Sequence, residues 1–208
     1  MLPVLLKHGG PAVWLLLVLS AVMLATFIER FLHYHRAQIN SFEFLNGIRN
    51  VLKRDNIVEA LSICDATPGP VARLVKTAIL NRERGREGVR EVLEEAGLQE
   101  VPRLEEKLNF LATVAQIAPL IGLLGTVMGF LDLFQSLQGS GPFANAGDLS
   151  GGIWQSLLSL AVGLAVSIPA YAGYNYLVAR VNSIVIDMEK SSTEVLNLVS
   201  SLNLTNGK

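Results

Sequence analysis

The sequence predicts an all-α integral membrane protein, with three transmembrane helices and long helices extending into a helical cytoplasmic domain. Three observations carry this. Half of the 208 residues are hydrophobic and only 17% are charged, against roughly 25% in ordinary soluble domains. The apolar residues gather in three long segments separated by charged sequence. No stretch alternates with the period of a strand or carries a hairpin turn. Seventeen Lys and Arg against 18 Asp and Glu give a net charge of -1, which excludes the basic excess of a nucleic-acid binder and the acidic excess of a disordered tail. The single cysteine, Cys64, rules out an internal disulfide, a redox pair and a thiolate cluster; it reads as a small buried apolar residue.

Residues 11–28 are almost free of polar side chains and end at Glu29-Arg30, long enough for a first span. Lys7 before this run would also suit a signal peptide, but no small-x-small cleavage site follows, so retention in the membrane is expected. Residues 108–137 form the second span, broken only by polar residues such as Asn109, Thr113, Gln116, Thr126 and Asp132. At 1.5 Å per residue its length of about 45 Å exceeds the hydrocarbon thickness. Residues 153–179 form the third, with Trp154 and Tyr174/Tyr176 near its ends as interfacial aromatics. Basic residues from Arg30 to Lys107 crowd the segment between spans one and two, whereas 138–152 holds none. The positive-inside rule therefore places 1–10 and 138–152 in the periplasm, and 29–107 and 180–208 in the cytoplasm.

Within 29–107 the apolar spacing is helical. Ile39, Phe42, Leu45, Ile48, Val51 and Leu52 make one stripe, and Ile57, Ala60, Leu61 and Cys64 a second. Thr67-Pro68-Gly69-Pro70 interrupts it. Val71, Leu74, Val75, Ala78 and Ile79 begin another helix, and Val89, Leu93, Ala96 and Leu104 mark a sparse stripe leading straight into span two. One long helix from the cytoplasm through the membrane is the expectation, with Pro102 able to kink it.

At 100° per residue, Ala115, Pro119, Gly122, Thr126, Gly129 and Leu133 share a sector of about 80° on span two. Gly125 and Gly129 add a small-xxx-small pair. On span three, Gln155, Ser156, Ser159, Gly163, Ser167 and Ala170 share about 120°. Two uses suit such stripes: tight helix packing with hydroxyls bonded back to carbonyls, or a polar lining for ions and water. Asp132, the carboxylate inside these spans, lies near the outer end and reads as a solvated interfacial group. His8, His33 and His35 form no catalytic or metal-binding pattern, and no phosphate loop or nucleophile elbow is present, so an enzyme is not expected and no cofactor is implied.

Leu108 to Phe130, with the core Ala118-Pro-Leu-Ile-Gly-Leu-Leu-Gly-Thr-Val-Met-Gly129, resembles the second membrane helix of the ExbB/TolQ/MotA family of proton-channel subunits. Gly152 to Ala170 followed by Tyr174-Asn175 is similar to that family's third helix, and Glu29-Arg30 to its exit from the first. Three spans with the large loop between the first two resemble the ExbB/TolQ branch. The resemblance implies a homopentamer in the bacterial inner membrane around two helices of an ExbD/TolR-like single-span partner that carries the essential aspartate. Proton flow through that aspartate would rotate one ring against the other and deliver work to a TonB- or TolA-like protein. It implies Thr126 as the channel threonine. Gln155 stands where many relatives have glutamate, and Leu160, beside Ser159, where many have a second threonine. Thr126, Gln155, Ser159 and Ser156 are then expected to line the ion pathway, with the proton carried by the partner's aspartate. The alternative is a non-conducting membrane scaffold that organises envelope partners.

Overall fold

The computed structural model describes residues 10–140 and 146–206, side chains at 140, 146–149 and 202–206 excepted. Lys7 and His8 of the expected periplasmic N-terminus, and Gly141-Pro142 of the expected periplasmic loop, lie outside them. Among the described residues there are seven α-helices and one 3-10 turn, and no strand. The helices are α1 (Gly10–Ala37), α2 (Ser41–Leu52), α3 (Ile57–Ala66), α4 (Pro70–Leu80), α5 (Gly85–Glu105), α6 (Leu108–Ser140) and α7 (Ala146–Asn206), with the 3-10 turn at Arg82–Arg84. Three stretches are long and apolar enough to cross a membrane, in α1, α6 and α7.

The chain divides into two units. The first comprises Met1–Glu29 and Lys107–Tyr176, and its core joins Leu16 and Met23 of α1 to Val114, Ala115 and Ala118 of α6 and Val166 and Ala170 of α7. Small residues allow this: a Cβ on Gly173 would sit 3.0 Å from the Phe27 ring, so glycine lets α1 and α7 approach here. At the edge of the unit Lys107 Nζ meets Glu29 Oε1 at 2.6 Å.

The second unit comprises Arg30–Glu106 and Leu177–Lys208. α4 is its centre, burying Val71, Ala72, Leu74, Val75, Ala78 and Ile79. Leu177, Val181, Ile184, Met188, Ser191, Val195 and Val199 of α7 form a buried stripe at spacings of three and four. α2 starts at Ser41 because Asn40 caps it, its Oδ1 accepting the Glu43 N–H at 3.4 Å. Asn56 caps α3 in the same way, and its own Nδ2 donates to Glu59 Oε2 at 2.7 Å. Phe42, expected on the buried face, is 71% exposed, because the buried side of α2 is set by Leu45, Ile48 and Leu52.

Gly69 begins α4 with φ 117°, followed by Pro70 at the first helical position. A Cβ there would lie 2.7 Å from the Ala37 carbonyl oxygen. Gly69→Ala should therefore lower stability by roughly 1–3 kcal/mol, the cost of a side chain in this backbone region, read as a fall in Tm in detergent. Gly47→Ala, where a Cβ meets nothing within 4 Å, should not.

Cys64 is buried as expected. Burial pushes its thiol up to about 11, helped by the adjacent Asp65 and opposed by Lys76. Its contribution to stability is fully present well below pH 9, where the thiol is neutral folded and unfolded alike, and is lost as pH rises from about 9 toward about 11. At pH 8 iodoacetamide should alkylate it about 100-fold more slowly in the folded chain than in denaturant, because the thiolate is the reactive form.

The expected unbroken helix into span two is corrected. α5 ends at Glu105, Glu106 is extended (φ -52°, ψ 136°), and Lys107 adopts φ 65° before α6 begins. Glu and Lys are good helix formers, so propensity does not cause the break. Tertiary contacts to the last turn of α5 accompany it. The Tyr34 hydroxyl donates to the Leu104 carbonyl at 2.5 Å, taking up one of the acceptors that a helix end leaves free. Glu106 pairs with Arg30 at 3.2 Å.

Candidate functional site

The polar residues singled out in spans two and three meet along one seam between α6 and α7. Gly122 and Gly163 are its closest point: a Cβ on Gly163 would lie 2.7 Å from the Ala118 carbonyl oxygen and 2.9 Å from Gly122 Cα. A Cβ on Gly122 would meet the Ser159 carbonyl oxygen at 2.9 Å. On Gly129 it would overlap Ser156 Oγ, and on Gly125 it would lie 2.7 Å from Ser159 Cβ and 2.8 Å from Ala12 Cβ. The antiparallel backbones thus approach as closely as glycine permits, which is how helices gain packing energy in lipid.

Hydrogen bonds tie the same seam. Thr126 Oγ1 lies 3.1 Å from both the Gly122 and the Ser156 carbonyl oxygens, one on its own helix and one across the seam. Its single proton is shared between these acceptors, which leaves the oxygen's lone pairs free to accept. Ser167 donates across the seam to the Ala115 carbonyl at 2.6 Å. Ser156 and Ser159 are 0% and 1% exposed, and their hydroxyls donate to Gly152 and Gln155 carbonyls of their own helix. Ala115 and Ala170 are in the core, and Pro119 is half-buried. Within one chain, then, Ser156 and Ser159 are buried against protein, and Thr126, Gln155 and Ser167 are half-buried. Asp132 is exposed on α6.

The Gln155 amide lies against the start of α1: a Cβ on Gly10 would come 2.7 Å from Gln155 Nε2. Gly10 and Ala12 were not singled out from the sequence, and neither was Ala118, although Ala118 follows the stripe three residues after Ala115. The signal for Ala118 was helical spacing; for Gly10, which lies outside any periodic run, there was none.

A concavity lies elsewhere, in the second unit. It is a groove of about 880 Å³ floored by Leu74, Leu93, Met188 and Leu196 and rimmed by Arg90 and Glu94. No group of three or more His, Cys, Asp or Glu is placed to hold a metal among the described residues.

Three membrane-length helices are present, the second and third sealed by glycine against glycine with a hydroxyl bridging them. A sequence profile of the MotA/TolQ/ExbB proton channel family matches residues 66–190, more than half of the chain. The chain belongs to that family. It is similar to a biopolymer transport protein ExbB homolog of Methanothermobacter thermautotrophicus, 25% identical over 178 residues that cover 85% of this chain and 62% of the relative. It is also similar to the Tol-Pal system protein TolQ of Haemophilus influenzae, 43% identical over 86 residues, 41% of this chain and 37% of the relative. A third relative is the biopolymer transport protein ExbB of Aquifex aeolicus, 40% identical over 86 residues, 41% of this chain and 57% of the relative. The chain thus spans less than two thirds of the length of these relatives. As a multi-pass membrane protein of the MotA/TolQ/ExbB proton channel family it belongs to the ExbB/TolQ branch.

Proposed function

We propose that this chain is an inner-membrane subunit of an ion-driven motor. With an ExbD/TolR-like partner it converts the proton-motive force into mechanical work on a TonB- or TolA-like envelope protein. In this reading it forms a homopentamer, with its N-terminus in the periplasm and its C-terminus in the cytoplasm, around two single-span partner helices. The observation that carries it is the Thr126 hydroxyl, bridging the α6–α7 seam at 3.1 Å with acceptor capacity to spare. An aspartic acid on a partner helix could donate to it, and Gln155, half-buried nearby, offers an amide that cannot titrate. Ser156 and Ser159 act beneath them, Ser156 supplying the carbonyl that holds Thr126. A unit charge crossing the full potential releases about 2.3 kcal/mol per 100 mV, enough to turn one ring a step against weak contacts.

Thr126→Val keeps the shape and removes the hydroxyl. The interhelical bond is worth about 1 kcal/mol in a membrane, so the variant should assemble with its partner, as read by native mass spectrometry, while proton-driven function is abolished and Thr126→Ser restores it. Normal energised function in Thr126→Val would reject the assignment. Function that persists after the proton gradient is collapsed would instead support the scaffold reading.

A further inference from the structure

Outside the seam, α6 carries a second polar feature that this mechanism does not use. Asn109, Thr113 and Gln116 stand at i, i+4 and i+7, within about 60° of one another at 100° per residue, and all three are exposed. Thr113 satisfies its own hydroxyl by donating to the Asn109 carbonyl at 2.7 Å. The carboxamides of Asn109 and Gln116 have no hydrogen-bond partner among the described residues, although each offers two donors and an acceptor oxygen. Lys107, paired with Glu29, marks where charged sequence gives way to the apolar span. Gln116 is nine residues beyond it, about 13 Å along a helix that crosses about 30 Å of hydrocarbon. On the same face the next positions, Leu120, Leu123 and Val127, are exposed and apolar.

A carboxamide facing acyl chains without a partner costs several kcal/mol, so lipid is not the occupant of this face. The ladder starts two residues from the charged boundary and continues inward without an apolar interruption on its face. That continuity favours water over isolated contacts with a neighbouring chain.

We infer that Asn109, Thr113 and Gln116 line a dead-ended aqueous inlet from the Lys107 side of the membrane, closed above by Leu120 and Leu123, through which the coupling cation enters or leaves. Its service to the ion rests on the motor reading given above; its wetness does not, so the two can fail separately.

The test uses the intact complex in proteoliposomes. Asn109→Cys, Thr113→Cys and Gln116→Cys, each with Cys64→Ser, are compared with Leu120→Cys, Leu123→Cys and Val127→Cys for reaction with a membrane-impermeant cationic methanethiosulfonate. The first three should react about 100-fold faster than the second three, because only a hydrated thiol ionises and meets the reagent. Thiols at 113 and 116 as slow as that at 120 would overturn the inlet. Gln116→Leu should assemble normally yet lower proton flux several-fold; undiminished flux would remove the inlet from the ion's path. A dry inlet with Thr126→Val still inactive would leave the motor reading standing alone.

Discussion

Gly163→Val should strongly destabilise the packing of the three membrane helices. The two backbones are already in contact, with the position of a Cβ on Gly163 only 2.7 Å from the Ala118 carbonyl oxygen and 2.9 Å from Gly122 Cα. Neither neighbour is a flexible side chain, so relief comes only from moving a whole helix by more than an ångström. That displacement stretches the Ser167–Ala115 bond at 2.6 Å and the Thr126–Ser156 bond at 3.1 Å, and loosens the core of Val114, Ala118 and Val166. Overpacking against adaptable side chains costs about 1–3 kcal/mol; against backbone, with two interhelical bonds strained as well, at least about 3 kcal/mol is expected. That is a large share of a total stability of about 5–15 kcal/mol. Gly163→Ala should show part of the loss. Gly139→Ala, where a Cβ meets nothing within 4 Å, should show none. Unfolding in detergent at increasing temperature measures all three, and a Gly163→Val chain with the parent's Tm would mean that α6 and α7 are not packed through these glycines.

This contact shows what could be read in the sequence and what could not. The three spans and the small-residue stripes follow from local pattern, because hydropathy and a 3.6-residue period depend on neighbours in the chain. Which surface a stripe meets is a tertiary fact. The spacing of Ser156, Ser159 and Ser167 suits packing and lining equally, and only the fold turns Ser167 onto the Ala115 carbonyl and leaves Thr126 and Gln155 half-buried. Caps and punctuation were also local: Thr67-Pro68-Gly69-Pro70 announced the start of α4. The break at Lys107 was not legible, because the sequence around it holds no glycine or proline at the bend and Glu105-Glu106-Lys107 favours helix. What ends α5 comes from residues some seventy positions away, Tyr34 on the Leu104 carbonyl and Arg30 on Glu106. Phe42 fits the helical period of its stripe yet points outward, since a period gives a face without fixing its width.

The second large effect is expected at Arg30. Its side chain is 6% exposed, and its Nη2 lies 3.2 Å from Glu106 Oε2, whose own side chain is 65% exposed. An exposed pair contributes about 0–1 kcal/mol, while stripping the partner from a fully buried charge costs about 3–5 kcal/mol. One end of this pair is buried and the other wet, so water reaches the guanidinium from the Glu106 side and screens part of the loss. Glu106→Gln should then cost about 2 kcal/mol, and Glu106→Lys more, since it sets like charges together. Glu105→Lys, one residue away and also exposed, supplies the control for charge alone and should cost about 0.5 kcal/mol or less. Arg30→Met should be milder than Glu106→Lys, because it removes the charge that needs a partner and keeps the apolar stem. The doubly substituted Arg30→Met, Glu106→Lys chain should recover most of the loss. Raising salt from 0.05 to 0.5 M should shrink the Glu106→Lys deficit only partly, because a buried charge is screened less than a surface one. Equal deficits for Glu105→Lys and Glu106→Lys would show that Arg30 is held by its packing and that the ion pair contributes nothing to ending α5 where it does.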